Sequence, residues 1–353
     1  MSTGGKILAV LWIVLGVVSW PVVAGQAEAD SHSPTDSIMS AYKVLYVMSY
    51  HSPWRWTDGQ LDGFKEALKG VDVQYRSFQL DTKRHNAPQW KEKKGREARN
   101  LIESWKPDLV YTSDDDAQTY VTQYYANRNT PFVFSGVNKD PKEYGFDGSR
   151  NITGVVEHEH FTESVRLIKS IVPEIRRIAV VFDDASMWPA VMRRMKAQAP
   201  RLDGVAFVAW DVIETFAEYK QKIKEYHQTA DAVGLIGIFN FKDEHGANVP
   251  YQEVLRWTAE NSRLPDFSFW ADRVHYGTLC AVNVSEYEQG LAAGRIARSI
   301  LAEGRRPSDF PIKPTVKGYP IVSLARANQL GLRVKSGVLL SAEVIQGFEW
   351  DKE

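Results

Sequence analysis

Apolar and polar positions alternate along this chain in a repeating order. An apolar run at 44–48 reads as a buried strand, and Leu61, Phe64 and Leu68 then recur at helical spacing, with Thr57 placed to cap that helix. The order repeats with strand 71–78, helix 89–105, strand 108–112, helix 116–127 and strand 131–135. After Asn151-Ile152-Thr153-Gly154-Val155 it starts again. Helices at 162–171, 188–198, 215–227 and 250–261 alternate with strands at 177–182, 205–209, 232–238 and 267–270. Two successive runs of strand–helix units predict an α/β chain with two parallel sheets, each covered by helices, joined near 151–158. Ligands of open parallel sheets sit beyond the carboxyl ends of the strands. Two such sheets facing each other bring those ends to one cleft.

The first residues follow a different pattern. Lys6 precedes an apolar run at 7–18, and Pro21 leads to Ala24, Ala27 and Ala29. A cationic start, a short apolar core and a small-residue exit predict a signal peptide over 1–27, cleaved between Ala24 and Ala29. An uncleaved membrane anchor is the alternative, but Gly16, Ser19 and Pro21 interrupt the stretch. Residues 28–41 read as a polar linker. The mature protein is therefore expected in the periplasm or secreted, and not embedded in a membrane.

Composition narrows the function. Of 353 residues, 43 are Lys or Arg and 44 Asp or Glu, so no basic excess exists to hold a nucleic acid. The single cysteine, Cys280, falls among apolar neighbours on a strand and is expected to be a buried packing residue. The chain has 11 Trp, 15 Tyr and 15 Phe, more rings than core filling alone calls for.

Many of these rings lie just after strands. The first strand is followed by Ser49, Tyr50, His51, Trp54 and Trp56. Flat rings there can stack on a ligand while Ser49 or backbone N–H groups hold its polar end; a cluster covering the sheet edge is the alternative. The third strand leads into Ser113, Asp114, Asp115 and Asp116. These carboxylates suit an ammonium or hydroxyl group, or one of them simply caps the next helix. Calcium loops space their oxygens at alternate positions around a glycine, unlike this run. Ser135, Gly136 and Asn138 follow the fourth strand, with Gly136 allowing close backbone approach. In the second half, Asp183 and Trp188, Asn240 between two phenylalanines, and Trp270 occupy equivalent places. All of these except Asp116, fifteen in number, are candidate ligand-binding residues.

Catalytic signatures are missing. The sequence has no Gly-x-Ser-x-Gly, no His-Glu-x-x-His and no phosphate-cradling glycine loop, so no enzyme and no cofactor are expected. Glu157-His158-Glu159-His160 offers His-x-His, but a third metal ligand is not evident nearby, and a solvated hinge is the reading taken.

Several short motifs, in order, resemble the extracytoplasmic substrate-binding proteins of ABC transporters. They are Val137-Asn138-Lys139-Asp140-Pro141, Asn151-Ile152-Thr153-Gly154-Val155, Glu163-Ser164 and Val172-Pro173. The C-terminal part adds Gly-x-x-Ala-Gly-x-x-Ala-x-x-Ile-Leu-Ala from Gly290 to Ala302, Gly304, Pro307-Ser308-Asp309-Phe310-Pro311-Ile312, Ser323-Leu324-Ala325-Arg326-Ala327 and Leu330-Gly331-Leu332. The similar branch is the uncharacterised or aromatic-amino-acid type. The resemblance implies a type I periplasmic-binding fold of two Rossmann-like lobes joined by three hinge crossings, near 155–158, 279–283 and 308–312. Lobe 1 is expected from 42–156 plus 282–308, and lobe 2 from 157–281 plus 309–353. It also implies a small-molecule ligand, amino-acid-like or aromatic, delivered to an ABC permease. The Asp-rich loop departs from the common pattern, and so does the Trp-rich loop at 50–56, which looks more like receptor proteins or extracytoplasmic sensor domains; a membrane sensor kinase or cyclase is the alternative partner.

Overall fold

The computed structural model describes residues 41–352, so the expected signal peptide and most of the linker lie outside the described residues. Thirteen strands follow in chain order: β1 (Tyr42–Met48), β2 (Val73–Gln79), β3 (Leu109–Ser113), β4 (Phe132–Val137), β5 (Ile152–Val156), β6 (Arg177–Phe182), β7 (Ala206–Val212), β8 (Ala232–Leu235), β9 (Asp266–Ser268), β10 (Cys280–Val284), β11 (Lys313–Pro314), β12 (Gly318–Ser323) and β13 (Glu343–Ile345). They form two sheets, ordered β11-β5-β4-β3-β1-β2 and β13-β12-β10-β9-β8-β6-β7. Every pairing is parallel except that of β10 with β12. The expected two-lobed α/β architecture is what the chain adopts.

The strand order reverses direction at β1 in the first sheet and at β6 in the second, since each is flanked on both sides by strands that follow it in sequence. Such reversals open a crevice at the strand ends, because consecutive helices leave to opposite faces there. The central strands β3, β4 and β5 are buried throughout, as continuous apolar runs require. Cys280 is fully buried in β10.

The chain passes between the sheets at 157–160, at Ser285 and at 315–317. β10 stays in the second sheet to Val284, and β11 lies on the edge of the first, beyond the 308–312 stretch read from the sequence as the last crossing. Helix Glu286–Glu303 returns to the first lobe and packs on helix Arg55–Ala67. The two backbones nearly touch. A Cβ at Gly290 would lie 1.8 Å from the Gln60 carbonyl oxygen, and one at Gly63 would lie 2.1 Å from that of Tyr287.

Two local expectations fail. Thr57 lies inside its helix rather than capping it; the cap position is Trp54, whose N–H donates to Asp58 Oδ2 at 2.9 Å. The helix expected at 116–127 starts at Asp114, stops at Tyr120 and continues as a 3-10 turn over Thr122–Tyr125. None of its three aspartates is the cap, which is Ser113.

Candidate functional site

Where the two sheets face each other, rings from both lobes meet in a single apolar cluster that includes Tyr50, Trp54, Trp56, Trp188 and Trp270. They enclose a cavity of about 40 Å³ together with Lys83, Asp114, Asn138, Glu157, Met187, Phe239, Asp272 and Arg273. At 10–15 Å³ per water this holds roughly three water molecules. A larger groove of about 710 Å³ lies on the hinge side, but none of its lining residues carries a buried polar atom without a partner.

The ring walls are fixed by contacts across the cleft and within the second lobe. Trp54 meets Phe239 edge-on at 5.8 Å and Tyr251 at 6.5 Å, while Trp188 and Trp270 cross at 6.1 Å. Each remaining indole N–H finds an acid. Trp56 Nε1 donates to Asp114 Oδ1 at 2.7 Å, Trp188 Nε1 to Asp183 Oδ1 at 2.5 Å, and Trp270 Nε1 to Glu157 Oε1 at 2.8 Å.

Asp114 is the carboxylate at the base. It is 2% exposed and sits at φ 66, a left-handed conformation that aspartate tolerates better than most residues. Besides Trp56, Gln60 Nε2 reaches its carboxylate at 3.5 Å and the Ser113 side chain donates to it, all of them neutral groups. Burial outweighs these bonds and pushes its pKa up to about 7. Glu157 is likewise raised by burial, although Trp270 and Asn138 Nδ2 (3.1 Å) donate to it. Two cations face these acids. Burial lowers Lys83 to about 8; its ammonium lies 4.7 Å from the Tyr50 ring in one lobe and 4.0 Å from the Phe239 ring in the other. Arg273 is lowered by burial to about 10.

Of the fifteen residues picked from the sequence, Tyr50, Trp54, Trp56, Asp114, Asn138, Trp188 and Trp270 line this cavity. The other eight do not, for identifiable reasons. Ser49 donates to the Ser113 carbonyl at 2.6 Å and accepts the Ala117 N–H at 2.7 Å, tying β1 to the helix after β3. Ser113 Oγ shares a hydrogen bond with Tyr46, and Ser135 Oγ with Tyr111, both inside the first lobe. Asp115 accepts from Asn138 N, Lys139 N and Tyr144 Oη, bracing the loop after β4. Asp183 accepts four N–H groups, those of Ala185, Trp188, Phe239 and Asn240. Gly136 has φ 69, and a Cβ there would lie 2.9 Å from Asp114 Oδ1. His51 and Asn240 border outer grooves of the same cleft, where Asn86 of the first lobe donates to Asn240 at 2.9 Å.

Lys83 and Arg273 were missed. Lys83 follows β2 by a few residues, so the same strand-end rule applied to that strand finds it. Arg273 lies in a short helix, Ala271–His275, one turn after Trp270. The Glu157–His160 run divides: Glu157 turns into the cavity and Glu159 pairs with Arg194 at 2.5 Å. Among the described residues no group of three or more His, Cys, Asp or Glu is placed to hold a metal.

This geometry, a two-lobed clamp with an aromatic cleft, agrees with the sequence comparison. Residues 56–345 match the family described as ABC transporter substrate binding protein. The chain belongs to that family. Membership brings a small-molecule ligand, an ABC permease partner and an extracytoplasmic location, and the family is in general non-enzymatic. Among the described residues no helix is long and apolar enough to cross a membrane. No curated protein sequence matches the chain.

Solved structures agree on the fold. An ABC domain from Streptococcus pneumonia, determined in complex with L-Trp, is 18% identical with a TM-score of 0.68, covering 87% of this chain and 100% of its own. A conserved domain protein from Vibrio cholerae is 18% identical with a TM-score of 0.67 over 87% and 100%. A substrate-binding protein with adhesive properties from Clostridium difficile, in its ligand-free, open structure, is 17% identical with a TM-score of 0.64 over 87% and 99%. At these identities the likeness establishes the type I periplasmic-binding architecture.

Proposed function

We propose that this substrate-binding protein captures an amino-acid-like ligand with an aromatic or apolar body and an ammonium group, and presents it to an ABC permease as the lobes close. The observation that carries this is Asp114. It is a buried carboxylate whose donors, Trp56, Ser113 and Gln60, are all neutral, at the base of a cavity walled by Tyr50, Trp54, Trp56, Trp188, Phe239 and Trp270. An ammonium placed there supplies the charge and the hydrogen bonds that the protein leaves incomplete, and the rings take the apolar body by stacking. The Streptococcus domain, alike in fold, was determined with L-Trp, a ligand of this kind. The reading includes export by removal of 1–27 to a periplasmic or secreted location.

The deciding experiment is mass spectrometry of small molecules released from denatured purified protein, followed by calorimetry with the compounds found. An amino acid or aromatic amine supports the reading. A neutral sugar or polyol, bound stoichiometrically, overturns it.

A further inference from the structure

The second lobe contributes a buried cation whose bonding is half used. Arg273 is 1% exposed and lines the cavity. Its Nη1 donates to the Leu235 carbonyl at 3.1 Å, to the Ile236 carbonyl and to Ser268 Oγ at 3.0 Å. Its plane is pinned between the Trp270 ring, 4.1 Å from Cζ, and the Phe239 ring, 4.8 Å away. Three acceptors and two rings fix the guanidinium in one orientation. Yet Nε, though buried, has no hydrogen-bond partner, and among the described residues no carboxylate lies within ion-pair distance of the group. Asp272 acts most strongly on its charge but makes no ion pair with it, and Asp183 is already occupied by four N–H groups.

An arginine that only braced the end of β8 would need Nη1 alone. The idle edge, Nε with Nη2, is the one that matches the two oxygens of a carboxylate. Leaving the Nε donor buried without an acceptor is costly, so a group that fills it binds with a differential gain. We infer that Arg273 takes the ligand's carboxylate through its Nε and Nη2 edge while Asp114, on the opposite lobe, takes the ammonium, so that the cleft selects α-amino acids over their decarboxylated amines. The inference rests on the amino-acid reading above and names the second pole of that site. The two poles sit on different lobes, so a zwitterion ties both and favours closure. Burial leaves Arg273 at about 10, still protonated at neutral pH.

Calorimetry with L-tryptophan, L-tryptophanamide and tryptamine tests this on the parent protein and on Arg273→Gln. L-tryptophan is expected to bind about 10- to 100-fold more tightly than tryptamine or the amide, the range for a charge-assisted pair. Arg273→Gln should lose that preference by weakening L-tryptophan, with tryptamine held within about threefold. Should the variant not fold, the ligand series on the parent decides alone. Equal affinity of the parent for all three, retained discrimination in Arg273→Gln, or equal loss of all three in the variant each overturns the role of Arg273 while leaving the amino-acid reading intact. Failure of the parent to bind any of the three removes both.

Discussion

Trp56 donates its indole N–H to Asp114 at 2.7 Å, joining the first helix to the end of β3 across 58 residues of sequence. The bond orients the carboxylate towards the cavity without neutralising it, and burial holds Asp114 near a pKa of about 7. The folded chain therefore holds this proton over a range where the unfolded chain has released it.

The sign of the resulting pH dependence follows. Between the unfolded value near 4 and about 7, the native state binds more protons, so this group's contribution to stability falls as pH rises and is flat above about 7. Asp114→Asn keeps the acceptor for Trp56 and suits the positive φ. It should remove that slope and raise stability at pH 8 by an amount on the order of 1–4 kcal/mol. Urea denaturation of both proteins at pH 5 and pH 8 measures it, and an unchanged slope in the variant would contradict the assignment.

Ligand affinity should run the other way. An ammonium pairs with ionised Asp114, so affinity for an amine ligand should rise with pH up to about 7 and then level, with proton release on binding below that pH. Calorimetry in buffers of different ionisation enthalpy reads the released proton directly. Asp114→Asn should bind the same ligand about 10-fold or more weakly, without the pH dependence.

Gly136 is required by two independent constraints. Its φ of 69 disfavours a side chain, and a Cβ would press on Asp114 Oδ1 at 2.9 Å and Gln60 Oε1 at 3.0 Å. Gly136→Ala should cost about 1–3 kcal/mol and displace the carboxylate, so thermal denaturation and ligand affinity should both fall. A variant as stable as the parent would show that the loop after β4 can relax.

The lobes and most helices were legible because buried parallel strands are continuous apolar runs and their helices carry apolar faces at helical spacing. β11 was not legible, since Lys313–Pro314 is too short to carry a period. Within the candidate site, the large rings picked after strands, Tyr50, Trp54, Trp56, Trp188 and Trp270, line the cavity. Small hydrogen-bonding residues did not. Ser49, Ser113 and Ser135 occupy equivalent strand ends, but their hydroxyls turn into the lobe to satisfy buried groups, and nothing in their spacing distinguishes the two directions. Arg273 depends on carbonyls at Leu235 and Ile236, a relationship between distant segments that no local pattern reveals.

Arg326 separates stability from binding. Fully buried in the second lobe and away from the cavity, it pairs with Asp266 at 2.9 Å and donates to the carbonyls of Ala259, Ser262 and Leu264. Arg326→Ala leaves Asp266 charged and buried without its partner, which should cost about 3–5 kcal/mol. Denaturant titration should show that loss, with ligand affinity of the remaining folded protein unchanged.

A cavity of about 40 Å³ admits no aromatic amino acid, so the lobes must part, or the side chains in the cleft withdraw, before a ligand enters. At the mouth, three hydrogen bonds hold the lobes together without help from a ligand: Asn248 Nδ2 donates to the Lys83 carbonyl at 3.4 Å, and Asn86 makes the other two, its Nδ2 donating to Asn240 Oδ1 at 2.9 Å and its Oδ1 accepting from Lys242 Nζ at 3.3 Å. Asn86→Ala removes both, at about 0.5–1.5 kcal/mol each, and should shift the unliganded population towards open forms several-fold. Small-angle scattering should then report a larger radius of gyration for the unliganded variant than for the unliganded parent. Saturating ligand should bring both to the same smaller value, because the ligand adds its own ties between the lobes. Dissociation should be faster from the variant, since its closed state is less favoured. Identical radii with and without ligand, in a protein shown separately to bind it, would mean that the cleft adapts by side-chain movement and that the crossings at 157–160, Ser285 and 315–317 do not act as hinges.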